Sequence, residues 1–163
     1  MKDTLAAWDG KRAQVLRDLY ERAFAFGEAI ALCDDPVCAE GASWLIKYHT
    51  ERAPLSAGEV QALLDAQRRE GAWPLLLHLV QALDRVDLAD RDVRHAADVL
   101  QHLARHEAPF VRAWSISALA RIAGVAPAYK ELAAQLIMDA HLQGDKPSVM
   151  ARLRKAARLL DQS

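Results

Sequence analysis

Three histidines, His95, His102 and His106, recur at spacings of seven and four residues. On an α-helix those steps bring the imidazoles within about 40° of one another, with Asp98 on the same stripe. Such a set could chelate zinc or nickel, and His102-x-x-x-His106 is a chelating pair by itself. No Glu-x-x-His or Cys/His frame accompanies it. The plainer reading is a solvated helix face that happens to hold histidines; a separate reading is a stripe that titrates near about pH 6–7 and affects a partner contact. Cys33 and Cys38 lie five apart beside Asp34, Asp35 and Glu40. Zinc would need two more soft ligands close by, and the sequence offers none. Two ordinary thiols are expected there, a redox pair only if the side chains meet. There is no Gly-rich phosphate loop and no Gly-x-Ser-x-Gly elbow. An enzyme is therefore the least supported class, and no catalytic residue, metal or cofactor is assigned.

Residues suited to binding are easier to find. Trp114 has Arg112 and Arg121 nearby in sequence. An aromatic ring between guanidinium groups can stack a base or grip a peptide. Tyr48 joins them as a candidate contact. Charge is uneven: residues 1–89 carry 10 basic and 14 acidic groups, and residues 90–163 carry 11 and 8. The basic excess gathers at Lys146, Arg152, Arg154, Lys155 and Arg158. It suits either a soluble end cap or a patch for phosphates or an acidic partner. Packing in the core is the simpler use of Trp44, Trp73 and Trp114.

These side chains must be held by helices. The 163 residues are 52% hydrophobic and 26% charged, with 7 Gly and 6 Pro. That composition excludes a disordered chain and leaves little turn chemistry for a many-stranded fold. A single domain spanning 1–163 is expected. No apolar run approaches the roughly 18 residues of a membrane span, and no secretory signal is visible. Two cysteines point to a reducing, cytoplasmic setting. The net charge of −1 lacks the basic balance of a non-specific nucleic-acid binder. Apolar residues recur in steps of three and four, as in Leu16, Leu19, Tyr20, Ala23, Phe26, Ile30. The spacing predicts helix pairs 11–32/36–51, 56–69/73–85, 90–106/109–123 and 127–142/146–161. Ser56 with Glu59 is a capping-box pattern, and Asp90 and Asp145 are placed to cap. Pro127 and Pro147 suit a first helical turn. The expected core is Leu16, Leu19, Ile30, Leu45, Ile46, Leu63, Leu64, Leu76, Leu79, Val80, Leu100, Leu103, Val111, Leu119, Ile122, Leu136, Ile137, Leu153 and Leu160.

The prolines also carry a period. Pro36, Pro74, Pro109 and Pro147 are separated by 38, 35 and 38 residues, as in helical-hairpin arrays. Glu107-Ala-Pro109-Phe-Val111-Arg112-Ala113 aligns with Asp145-Lys-Pro147-Ser-Val149-Met150-Ala151. Pro109-x-Val111-Arg112, followed by small residues and Leu119, resembles the second helix of a HEAT repeat. The resemblance implies a right-handed α-solenoid of about four stacked antiparallel helix pairs. It implies a ladder of turn-to-helix pairs, here Glu107 with Arg112, and a concave surface lined by second helices. It further implies a non-catalytic scaffold holding a protein partner, through Trp114, Arg112, Arg121 and Tyr48. The alternative is a nucleic-acid-binding protein similar to the HEAT-like alkylation-repair DNA glycosylases, through Arg152, Arg154 and Lys155. His106-Glu107 resembles the dipeptide of HEAT-like iron hydroxylases, which repeat it; here it occurs once. Exposed solenoid ends also allow self-association.

Overall fold

The computed structural model describes residues 1–67 and 71–162, and for positions 90 and 91 the backbone alone. Every regular element among the described residues is helical. The chain divides into two compact units, Met1–Val86 and Asp87–Ser163.

The first unit contains α1 (Lys2–Ala6), α2 (Ala13–Ala23), α3 (Phe26–Leu32), α4 (Ala39–Thr50), α5 (Ala57–Ala66) and α6 (Trp73–Leu83). Its centre is α4, which packs against α2, α3 and α6. Gly41 makes a notch in α4. A Cβ there would stand 2.8 Å from Leu5 Cδ2 and 3.3 Å from Trp8 Cε3. The five-residue α1, too short for periodicity to reveal, lies in that notch. Lys2 holds it to the turn before α4 through a 2.9 Å ion pair with Asp35.

The expected helix 11–32 is instead two helices. Phe24 (ψ 131°) and Ala25 (φ −135°, ψ 118°) are extended between them. The reason lies in the aromatic residues. Phe24 and Phe26 are two apart, which a continuous helix would send to opposite faces. The extended step lets both rings meet His49, at 4.8 and 5.9 Å between centroids. Downstream, the capping box at Ser56 forms in full. Ser56 Oγ accepts from the Glu59 amide, and the Glu59 carboxylate accepts from the Ser56 amide at 2.8 Å. The end of the expected 56–69 helix, 68 and 69, lies outside the described residues.

The second unit contains α7 (Asp90–Leu103), α8 (Pro109–Val125), a 3₁₀ turn (Pro127–Tyr129), α9 (Lys130–Gln143) and α10 (Pro147–Asp161). Here α8 is central and touches all the others. Its residues fit that place: Ala113, Ser115, Ser117, Ala118, Ala120 and Ala123 are small and buried, beside Val111, Ile116, Leu119 and Ile122. A helix apolar on every side is a core helix. Pro109, Pro127 and Pro147 open their elements, where the missing N–H costs nothing. Gly144 closes α9 at φ 69°, a left-handed cap suited to glycine.

Two expectations need correction. Helix α7 ends at Leu103, so His106 leaves the histidine stripe and sits in the turn before α8. Asp145 does not cap α10. Lys146 occupies that position without a side-chain bond, and Asp145 turns to Arg112. The side chain of Asp90, the other expected cap, lies outside the described residues. Of the nineteen expected core residues, all are buried except Ile30, which is half-buried.

Candidate binding surface

Helix α8 places Phe110, Trp114 and Arg121 at steps of four and seven, within about 40° on one side. Trp114 is half-buried and Phe110 is exposed. The guanidinium of Arg152, on α10, lies over the Trp114 ring at 3.3 Å from its centroid. A cation stacked this closely on indole is worth about 0.5–2 kcal/mol. Lys155 follows Arg152 by one helical turn, and Arg154 and Arg158 are neighbours on the open face of α10. Among the described residues, none of Arg154, Lys155 and Arg158 has an ion-pair partner. Arg121 approaches Asp87 at 4.0 Å.

Arg112 is on the opposite side of α8, about 160° from Trp114. Its Nη2 donates to Asp145 at 2.6 Å, and its Nη1 to the carbonyls of His106 and Glu107 at 2.9 and 3.3 Å. The guanidinium therefore ties the α7–α8 turn to the α9–α10 turn. Its acidic partner is Asp145, in place of the Glu107 carboxylate implied by the HEAT resemblance. Glu107 offers only its carbonyl. Asp145 holds the position that aligns with Glu107 in the Asp145-Lys-Pro147 segment, so the bridge runs between the two aligned turns.

Tyr48, in the first unit, is buried. Trp44 stacks on one side at 4.8 Å, and the Arg52 guanidinium lies 3.2 Å from its ring centroid. Tyr20 meets it edge-on at 5.2 Å. The Tyr20 hydroxyl reaches His49 Nδ1 at 2.9 Å, and burial holds the His49 pKa below its ordinary value. This aromatic cluster is a packed seam between α2 and α4.

Nucleophile geometry occurs once among the described hydrogen bonds. Ser43 Oγ lies 3.1 Å from His78 Nδ1. The hydroxyl proton goes to the Glu40 carbonyl at 2.9 Å, so the imidazole does not take it. Burial, with the Lys47 charge adding to it, pushes His78 down to about 4. A general base works best near the operating pH, and Ser43 is completely buried. The pair is structural. Cys33 and Cys38 are buried thiols not joined in a disulfide; Cys33 donates to the Ala29 carbonyl, and burial raises the Cys38 pKa. No three His, Cys, Asp or Glu among the described residues converge as a metal site.

A cleft of about 290 Å³ opens on the Arg112 side of α8. The α7–α8 turn supplies Ala104, Arg105, His106 and Glu107, and α9 supplies Leu136, Asp139, Ala140 and Gln143. Apart from the His-Glu dipeptide nothing in the sequence marks it, because its two walls come from segments about thirty residues apart. The Arg152–Trp114 stack was hidden for the same reason. No protein-family model, curated protein or solved structure matches the chain.

Proposed function

We propose that this protein is a non-catalytic scaffold that binds an acidic protein segment on the α8–α10 face of its second unit. The observation that carries the reading is the Arg152–Trp114 stack, with Lys155 one helical turn on and Arg154 and Arg158 continuing the positive charge round the exposed face of α10. Stacking holds Trp114 and Arg152 rigid before a partner arrives, which lowers the ordering cost of binding. Lys155 beside the stack supplies orientation, and the exposed charges of Arg154 and Arg158 add long-range attraction. We place the chain among HEAT-like solenoids of about four stacked, right-handed helix pairs, in a reducing cytoplasmic setting. The Arg112–Asp145 bridge between successive pairs supports that placement, as does the proline period. Pro74, Pro109 and Pro147 each fall in the first turn of a helix. No helix among the described residues is long and apolar enough to cross a membrane.

Nucleic acid is the second reading, favoured by the same unpaired cations beside an aromatic ring. Fluorescence anisotropy separates the two. A labelled Asp/Glu-rich peptide and labelled single- and double-stranded DNA are titrated at about 50 and 200 mM salt. The peptide should bind, and the triple variant Arg154→Gln, Lys155→Gln, Arg158→Gln should weaken it at least roughly tenfold. Tighter binding of DNA, with a steep salt dependence lost in the triple variant, would replace the protein-binding reading. Binding of neither would end both.

A further inference from the structure

The cleft on the Arg112 side of α8 is separate from the α8–α10 face, and its chemistry is different. Its walls carry both signs of charge. Arg105 and Arg112 bring guanidinium groups, and Glu107 and Asp139 bring carboxylates. Arg112 is already held by three hydrogen bonds, which leaves its Nε–H uncommitted among the described residues. His106 is fixed as well. Its Nδ1 accepts from the Ala108 amide at 3.0 Å, so the neutral ring carries its proton on Nε2, a second donor. Leu136 and Ala140 add an apolar wall. At about 290 Å³ the space is at the small end of ligand pockets, which run from about 300 to 1,000 Å³.

We propose that this cleft binds a small zwitterion: a free amino acid, with a carboxylate and an ammonium on a short alkyl frame. The donors of Arg112, Arg105 and His106 receive the carboxylate. Glu107 and Asp139 receive the ammonium, and the side chain lies along Leu136 and Ala140. A ligand of a single sign meets repulsion from two of the four charged lining residues, so the mixed walls select against simple anions and simple cations alike. The site needs no partner chain and is independent of the scaffold reading.

The test is thermal denaturation and calorimetric titration of the full chain with the twenty protein amino acids at up to about 10 mM. The tightest binder is then compared with its decarboxylated and deaminated analogues; for L-leucine these are isopentylamine and isocaproate. The expected result is a saturable shift with at least one amino acid, weakened at least roughly tenfold in both analogues. Arg105→Gln and Glu107→Gln alter exposed side chains, so both should fold with unchanged melting temperature and lose binding by a similar factor. Arg154→Gln should bind as the parent does. The proposal is overturned if no amino acid binds, if either analogue binds as tightly as its parent amino acid, or if the two cleft variants fold and bind normally.

Discussion

At the scale of single residues, His78 and Ser56 give measurable consequences. The folded protein holds His78 near pKa 4, whereas an unfolded chain titrates at 6.5. The unfolded state therefore binds the extra proton first, and stability contributed by neutral His78 is lost as pH falls from about 6.5 to about 4. The full span is worth roughly 3 kcal/mol. Urea midpoints at pH 7 and pH 5 should fall in the parent protein, and fall less in His78→Gln. His49, lowered by burial, acts in the same direction. Ser56→Ala removes the capping box and should cost about 1 kcal/mol, read from the same titrations at neutral pH. Loss of the Ser56 hydroxyl would also release the larger part of the pull that keeps the Glu59 carboxyl below its ordinary value, while the Ser56 amide keeps its own bond. The two residues differ in how far the sequence reveals them. A capping box is local, four residues long, and legible as written. The surroundings of His78 depend on Ser43, thirty-five positions away, and no spacing rule connects them.

At the scale of elements, the Arg112–Asp145 bridge is the sharpest test of how the α7–α8 and α9–α10 turns are joined. Both side chains are mostly buried, at 13% and 16% exposure. Arg112→Met also removes the bonds to the His106 and Glu107 carbonyls and strands Asp145. It should cost about 2–3 kcal/mol. A double-mutant cycle with Asp145→Asn should give a coupling of about 1–2 kcal/mol; additive effects would mean that the bridge contributes nothing of its own. The acid–Pro–Val pattern located both turns correctly in the sequence. It paired Arg112 with the acid in its own turn, because which turn lies beside Arg112 is set by tertiary packing. Helix positions were legible wherever an apolar stripe faced one neighbour, as in α7 and α10. The break at Phe24 was not, because the stripe from Leu16 to Ile30 keeps its period through two residues that the aromatic cluster pulls straight.

At the scale of the whole molecule, all-helical architecture followed from the period of three and four and from the scarcity of glycine and proline. The division at Val86 and Asp87 had no mark in composition beyond the change in charge balance. Each unit has its own buried cluster, around Leu45 and Leu63 in the first and around Leu100, Leu119 and Leu153 in the second. Residues 87–163 expressed alone should therefore show helical circular dichroism and a cooperative thermal transition. A gradual, featureless melt would mean that the second unit borrows its stability. Its size is near the lower limit for an independent core, so a low melting temperature is expected.

Helix α8 also imposes an order of events during synthesis. Apart from Arg112 and Arg121 its residues are apolar or small, and its largest partner, α10, is completed about 36 residues later. At roughly 5–20 residues per second, about 2–7 s pass before that cover exists. Over that interval the nascent chain exposes a sticky helix that only the ribosome tunnel, α7 and a growing α9 can shield, so slowing translation after codon 125 should raise the aggregated fraction.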